Sequence, residues 1–166
     1  MRSSCERTVT GAEHAPETAF FLVFLLDDRR YAIAMESVER VLRAFAPAPL
    51  PKSSASVSGL LNIHGRVIPL LDIRHIFGLP ERELLSRDYF IIASGPAGAC
   101  AIAADSVPGL TGCRPDELMP AGAAVKGAGY VDRVIKAADG LILIFDPARL
   151  LPREEPVCAG TPGEPQ

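Results

Sequence analysis

Apolar residues along this chain occur in short runs, and clusters of glycine, proline and aspartate separate one run from the next. The first run covers 20–26, and a polar connection leads from it into a second run at 31–34. Runs of this length with such boundaries are typical of an all-β barrel or sandwich. We therefore predict about eight to ten strands, and the later ones cover 60–63, 67–71, 89–93, 99–107, 130–137 and 141–146.

Two connections between apolar runs are short enough to predict β-hairpins. His64-Gly65 separates one pair of runs and Asp139-Gly140 separates another. Glycine adopts the positive φ that such tight turns require. Pro69 lies inside the run that follows the first turn, and proline has no N–H to donate to a strand ladder. We therefore expect an edge strand or a bulge at Pro69.

One segment has the periodicity of a helix. Apolar residues at 35, 38, 41, 42 and 45 recur at spacings of three and four, which predicts a helix over 35–45 that Pro47 ends. Single helical turns are predicted at 73–77, 115–118 and 147–151. Helices should therefore contain less than about a quarter of the residues, which is below the usual globular share.

The two ends of the chain differ from its middle. Residues 1–18 and 153–166 are polar, contain glycine and proline, and show no hydrophobic periodicity. They predict flexible tails around one folded region at 19–152. The whole chain has 166 residues, a length that fits one domain or two very small ones.

Composition excludes several classes of function. The net charge is −3, the 17 basic residues are scattered, aromatic residues make up 6% and tryptophan is absent, so we expect no nucleic-acid binding. No apolar run approaches the ~20 residues that span a bilayer, so we expect no direct membrane insertion. The four cysteines form no CxxC motif, which favours a reduced, cytoplasmic protein without structural zinc.

The sequence offers little catalytic chemistry. His64, Asp72 and His75 could form a two-histidine, one-carboxylate metal site, but nothing in the pattern fixes the three side chains on one face. Ser94-Gly95-Pro96 is not the nucleophile elbow of a hydrolase, and 127–129 lacks the lysine of a phosphate-binding loop. We expect a protein without catalytic activity, cofactor or metal. The alternative is a small β-barrel enzyme or ligand-binding protein that uses His64, Asp72 and His75.

The segment 57–74 resembles a known family motif. The CheW-like coupling proteins of bacterial chemotaxis-type signalling carry the pattern Gly-x-x-Asn-Leu-Arg-Gly-x-x-x-Pro-x-x-Asp-Leu-Arg. The matching residues of this chain are Gly59, Asn62, Ile63, His64, Gly65, Pro69, Asp72, Ile73 and Arg74. The segment 101–107, which contains Asp105, resembles a second strand of the family. The resemblance extends over about 19–152.

The resemblance implies both a fold and a function. The implied fold is mostly β, with two small SH3-like five-stranded β-barrels that share an apolar core, and with a few short helices. The implied function is that of a stand-alone adaptor. Such an adaptor couples the cytoplasmic tip of a methyl-accepting chemoreceptor to the regulatory domain of a CheA-type histidine kinase.

The resemblance also implies the residues that bind partners. In the family, the receptor binds in a groove between the barrels, where Val38, His64, Val107 and Leu110 match. The full set of expected partner-binding residues is Val38, Asn62, His64, Gly65, Ala101, Val107 and Leu110. Asn62 and Gly65 are equally consistent with a role in shaping the hairpin alone. This chain departs from the family at His64, where arginine is usual, and at Ala101, where glycine is usual.

Overall fold

The structure of the protein, a computed structural model, describes residues 17–50, 57–122 and 129–151. Except for Glu17 and Thr18, the tails expected at 1–18 and 153–166 lie outside these residues and stay predictions. Within the described ranges the chain is mostly β, as predicted. Its helical elements are α1 (Ile73–Ile76) and three 3₁₀ turns at Met35–Ser37, Pro115–Glu117 and Pro147–Arg149.

Strands in the described residues form two sheets. The first sheet has the order β8-β1-β2-β11-β10-β9 and the second has the order β3-β6-β7-β5-β4. The pairs β2–β11 and β5–β7 are parallel, and the other pairs are antiparallel. The strands are β1 (Ala19–Leu26), β2 (Arg29–Ala34), β3 (Val38–Arg43), β4 (Val57–Ile63), β5 (Arg66–Leu71), β6 (Tyr89–Gly95), β7 (Gly98–Ala104), β8 (Ser106–Cys113), β9 (Leu118–Pro120), β10 (Val131–Ala137) and β11 (Gly140–Phe145).

Each sheet buries both of its faces, and this creates three apolar cores. In β1, Phe21 and Val23 point into the core of the first sheet, whereas Leu22 and Phe24 point into a core that both sheets share. Alternate strand residues lie on opposite faces, so a strand buried on both faces must be apolar throughout, as β1 is. The second sheet encloses its own core around Leu61, Phe90 and Ile92. The predicted pair of barrels with a shared core is confirmed, and the short β9 gives the first sheet a sixth strand.

The helix predicted over 35–45 is wrong. Only Met35–Ser37 forms a 3₁₀ turn, and Val38–Arg43 is strand β3, which pairs antiparallel with β6. A bulge between Val38 and Arg40 shifts the side-chain alternation by one residue. Val38 and Val41 therefore lie opposite Ala93 and Ile91, which both belong to the shared core. A bulged strand thus produces the spacing of three that resembles a helix.

Two further expectations differ from the structure in detail. The single strand expected at 99–107 is divided at Asp105 into β7 of the second sheet and β8 of the first. The chain passes between the sheets at this residue.

Pro69 does not lie in an edge strand, because β5 has a neighbour on each side. The parallel ladder to β7 pairs only Leu70 and Leu71, however, so Pro69 lies just beyond it and needs no N–H there.

The hairpin predicted at His64-Gly65 is confirmed. Both turn residues have positive φ, 52° at His64 and 84° at Gly65, as a type I′ turn requires. The Gly65 amide donates a hydrogen bond of 2.9 Å to Oδ1 of Asn62. Asn62 and Gly65 therefore fix the shape of the tip that presents His64. The hairpin predicted at Asp139-Gly140 is also present, between β10 and β11.

We expect Gly65→Ala to lower the free energy of unfolding by about 1–2 kcal/mol, because an L-residue pays that cost in the left-handed region. Gly122→Ala is the matched control, since a Cβ there meets open space and the backbone has no positive φ. Urea denaturation of both variants measures the difference. Equal losses in the two variants would contradict the turn assignment.

Candidate partner-binding surfaces

Three of the expected receptor residues lie at the edge of the shared core. Val38 on β3 and Val107 on β8 are partly buried and pack against this core from different sheets. Leu110 is 57% exposed and lies opposite Leu22, a shared-core residue, so the two side chains are on the same face of the first sheet. The shared core therefore ends in an apolar border that solvent reaches.

Sequence reasoning missed two members of this border. Val41 is 37% exposed and lies opposite Ile91, and Phe20 is 57% exposed on the face of β1 that carries Leu22. Phe20 was expected only as a strand residue and Val41 only as part of a helix face. The sequence signal for them was that β1 is apolar on both faces. One barrel can bury only one face of a strand, so the other face needs a second apolar surface. We call Phe20, Val38, Val41, Val107 and Leu110 the core margin.

The hairpin tip lies beside the start of β3. Exposed His64 lines a cavity of about 210 Å³ together with Glu39 and Arg40. Nη1 of Arg66 donates to both carboxylate oxygens of Glu39, at 2.9 and 3.2 Å, and ties the tip to β3. This hydrogen bond lowers the pKa of the Glu39 carboxyl. Because Glu39 directly follows Val38, the tip lies at the end of β3 that carries Val38.

Ala101 does not belong to this surface. It lies in β7 between β6 and β5, opposite Ile92 and Leu70, and its exposed fraction is 0%. An alanine enclosed by two neighbouring strands cannot contact a partner. Its expected place among the partner-binding residues is therefore corrected to a packing role in the core of the second sheet.

The alternative site of His64, Asp72 and His75 is not assembled. His64 precedes the six residues of β5, whereas Asp72 and His75 follow them. A strand of that length separates its ends by roughly 20 Å. The Asp72 carboxylate instead caps α1 by accepting a hydrogen bond of 3.2 Å from the His75 amide. Among the residues that the structure describes, no group of three or more His, Cys, Asp or Glu residues could hold a metal ion.

A cluster of charged side chains lies where the chain passes between the sheets. Arg74 of α1 donates to Asp27 at 3.1 Å and to Asp105 at 2.6 Å, and Arg82 bonds both Asp88 and Asp105. Burial raises the pKa of the Asp105 carboxyl, but hydrogen bonds from Arg74, the Asp27 amide and Arg82 outweigh it. The pKa of Asp105 therefore lies below its ordinary value.

Comparison with known proteins is consistent with this geometry. A family model described as "CheW-like domain" matches residues 21–155, which is most of the chain. The chain belongs to the CheW-like family. Across the described residues, no helix is both long and apolar enough to cross a membrane.

Individual CheW-like relatives are distant in sequence. Protein FrzA of Myxococcus xanthus is 28% identical over 110 residues, which cover 66% of this chain and 68% of FrzA. The chemotaxis protein CheW of Bacillus subtilis is 23% identical over 135 residues, 80% of this chain and 86% of CheW. The crystal structure of the scaffolding protein TtCheW from Thermoanaerobacter tengcongensis matches with a TM-score of 0.76 at 20% identity. That match covers 86% of this chain and 93% of TtCheW, and it shows the same fold.

The hairpin tip of this CheW-like chain carries an arginine, Arg66. The family motif has its arginine two residues earlier, at the position of His64. Arg66 lies two residues after His64, and its guanidinium is paired with Glu39. His64 therefore does not present the fork of N–H donors that an arginine at this position would present. This difference makes the tip less charged than the family pattern implies.

We expect the stabilising contribution of Asp105 to disappear in acid. A carboxyl with a lowered pKa stabilises the fold above its unfolded pKa of about 3.9, and this stabilisation is lost as the pH falls through the folded value. Asp105→Asn should lower the unfolding free energy at pH 7 by roughly 1–3 kcal/mol. The difference in unfolding free energy between Asp105→Asn and wild type should disappear below about pH 4.

Urea unfolding between neutral and acidic pH measures this gap. Asp139→Asn is the control, because Asp139 pairs with Arg30 on the surface and its side chain is 62% exposed. Such surface pairs contribute little. A gap for Asp105→Asn that persisted unchanged in acid would contradict the expectation.

Proposed function

We propose that this protein is a non-catalytic cytoplasmic adaptor that couples the cytoplasmic tip of a methyl-accepting chemoreceptor to a CheA-type histidine kinase. The main support is the match of residues 21–155 to the CheW-like family together with the two-barrel fold. An adaptor needs two separate partner surfaces and no reaction chemistry. The described residues offer exposed apolar surface at more than one place.

The receptor surface that we propose combines the core margin with the hairpin tip. The margin supplies apolar side chains that are already partly packed, such as Val38 and Val107, so a partner would cover them at little conformational cost. The tip adds exposed His64 beside Glu39. An apolar groove with a polar border suits an amphipathic helical partner.

The kinase surface must be separate, because an adaptor holds both partners at once. Leu110 lines a cavity of about 390 Å³ at one end of the first barrel, with Ile142 and Ala137. The opposite end opens through a cavity of about 360 Å³ that Phe21, Ala34 and Ile144 line. Met35, which lies in the chain between the lining residues Ala34 and Glu36, is 39% exposed. We propose this second end as the surface for the kinase regulatory domain.

We expect His64→Arg to keep or strengthen binding to the receptor tip, because it restores the donor fork usual in the family. His64→Glu should weaken that binding, since it places a second carboxylate beside Glu39. Neither change should alter binding to the kinase domain. Titrations with a receptor-tip fragment and with the kinase regulatory domain measure both effects. Unchanged receptor affinity in His64→Glu, or a loss of kinase binding alone, would exclude this position from the receptor surface.

We expect Met35→Lys to weaken binding of the kinase regulatory domain by tenfold or more, a loss of about 1.4 kcal/mol. Transient signalling interfaces often bury less than about 1,200 Å², so one charged residue at the centre is costly. Leu141→Lys is the matched control, because Leu141 is 53% exposed at the other end of the same barrel. If Leu141→Lys weakened kinase binding and Met35→Lys did not, the opposite end would be the kinase surface.

A further inference from the structure

The charged cluster around Arg74 connects the two sheets. Arg74 lies in α1, directly after β5 of the second sheet. Its Nη1 bonds Asp27, in the turn between β1 and β2 of the first sheet, and its Nη2 bonds Asp105, where the chain passes from β7 to β8. The Arg74 side chain is only 11% exposed. One guanidinium, carried by the helix that follows the second sheet, therefore contacts a turn of the first sheet and the crossing between the sheets.

Asp105 is itself fixed to the first sheet. Its amide donates to the Leu25 carbonyl at 2.9 Å, and its carboxylate accepts from the Asp27 amide at 2.7 Å. These bonds hold the crossing against the end of β1. Arg74 adds a bond from this point to α1, which follows β5 of the second sheet. Arg82 also bonds Asp105, and it bonds Asp88 directly before β6, but of these two arginines only Arg74 also bonds Asp27 of the first sheet.

The junction formed by Arg74, Asp27 and Asp105 differs from the shared core in the kind of contact that it makes between the sheets. Apolar packing is non-directional, so burial alone leaves the angle between two sheets loosely specified. A guanidinium that bonds two carboxylates is directional, because its donors form a planar fork. The core supplies burial, and the junction supplies directional bonds.

The angle matters for the core margin. Val107 lies two residues after Asp105 on the first sheet, and Val38 lies on the second sheet. Both pack against the shared core from its edge. A rotation of one sheet against the other would change the separation of Val38 and Val107, because they lie on different sheets.

We propose that Arg74 is a positioning residue that sets the angle between the two sheets and so shapes the groove for the receptor tip. This inference rests on the proposed function for its binding consequence only. The cavity at the proposed kinase surface has lining residues from both sheets, Ile144 of the first and Gly95 of the second, so kinase binding is not expected to be independent of the angle. Lysine cannot replace Arg74, because one ammonium cannot span Asp27 and Asp105 in the fixed geometry of the fork.

The test compares Arg74→Lys with Arg30→Lys in the full chain. Arg30 is the matched control, because its 2.6 Å pair with Asp139 joins two parts of the first sheet only. Spin labels on cysteines introduced at Lys136 and Val67, one exposed site on each sheet, report the distance between the sheets by pulsed EPR. Serine replaces Cys5 and Cys158 in all variants.

Arg74→Lys should broaden or shift the distance distribution and weaken receptor-tip binding by about five- to tenfold. Arg30→Lys should match wild type in the distance distribution and in receptor-tip binding. An unchanged distance distribution, or a loss of receptor-tip binding no larger in Arg74→Lys than in Arg30→Lys, would overturn the proposal. If wild type itself failed to bind the receptor tip, the proposed function would fail, and the EPR result would still decide the role of Arg74 in the sheet angle.

Discussion

The shared apolar core is the constraint on which this fold depends. Four aromatic rings, Phe24, Tyr31, Phe77 and Phe145, meet there, with ring centroids 4.8–6.5 Å apart. Large aromatic side chains carry much of the burial energy of a small protein. Because the rings come from the first sheet and from the segment after α1, each barrel would expose an apolar face without the other. The two barrels therefore form one structural unit.

This constraint also creates the surfaces that a partner can use. A core shared by two sheets has a border where the sheets diverge, and side chains such as Val38 and Val107 remain half covered there. The border is apolar because it continues the core, so its hydrophobic character follows from the fold. Ion pairs lie at the two ends of the core margin. Arg66 and Glu39 pair at the hairpin tip, and Arg74 and Asp105 pair at the crossing between the sheets.

Local signals in the sequence predict most of the fold, and non-local pairing explains what they miss. The turn at His64-Gly65 was predictable because positive φ is a property of two residues. The segment 35–45 was not, since a bulge opposite β6 gave a strand the spacing of a helix. For the site, the family resemblance predicts Val38, His64, Val107 and Leu110, while burial removes Ala101 and exposure adds Phe20 and Val41. The Arg74–Asp105 pair joins residues 31 positions apart, which no local pattern shows.

We infer that one chain binds two partners through separate surfaces at the same time. Sedimentation velocity with the full chain, a receptor-tip fragment and the kinase regulatory domain, each alone, in pairs and together, measures this. We expect a three-component species that forms only when this chain is present, with the affinity for either partner undiminished by the other. Mutual displacement of the receptor fragment and the kinase domain from the chain would contradict it.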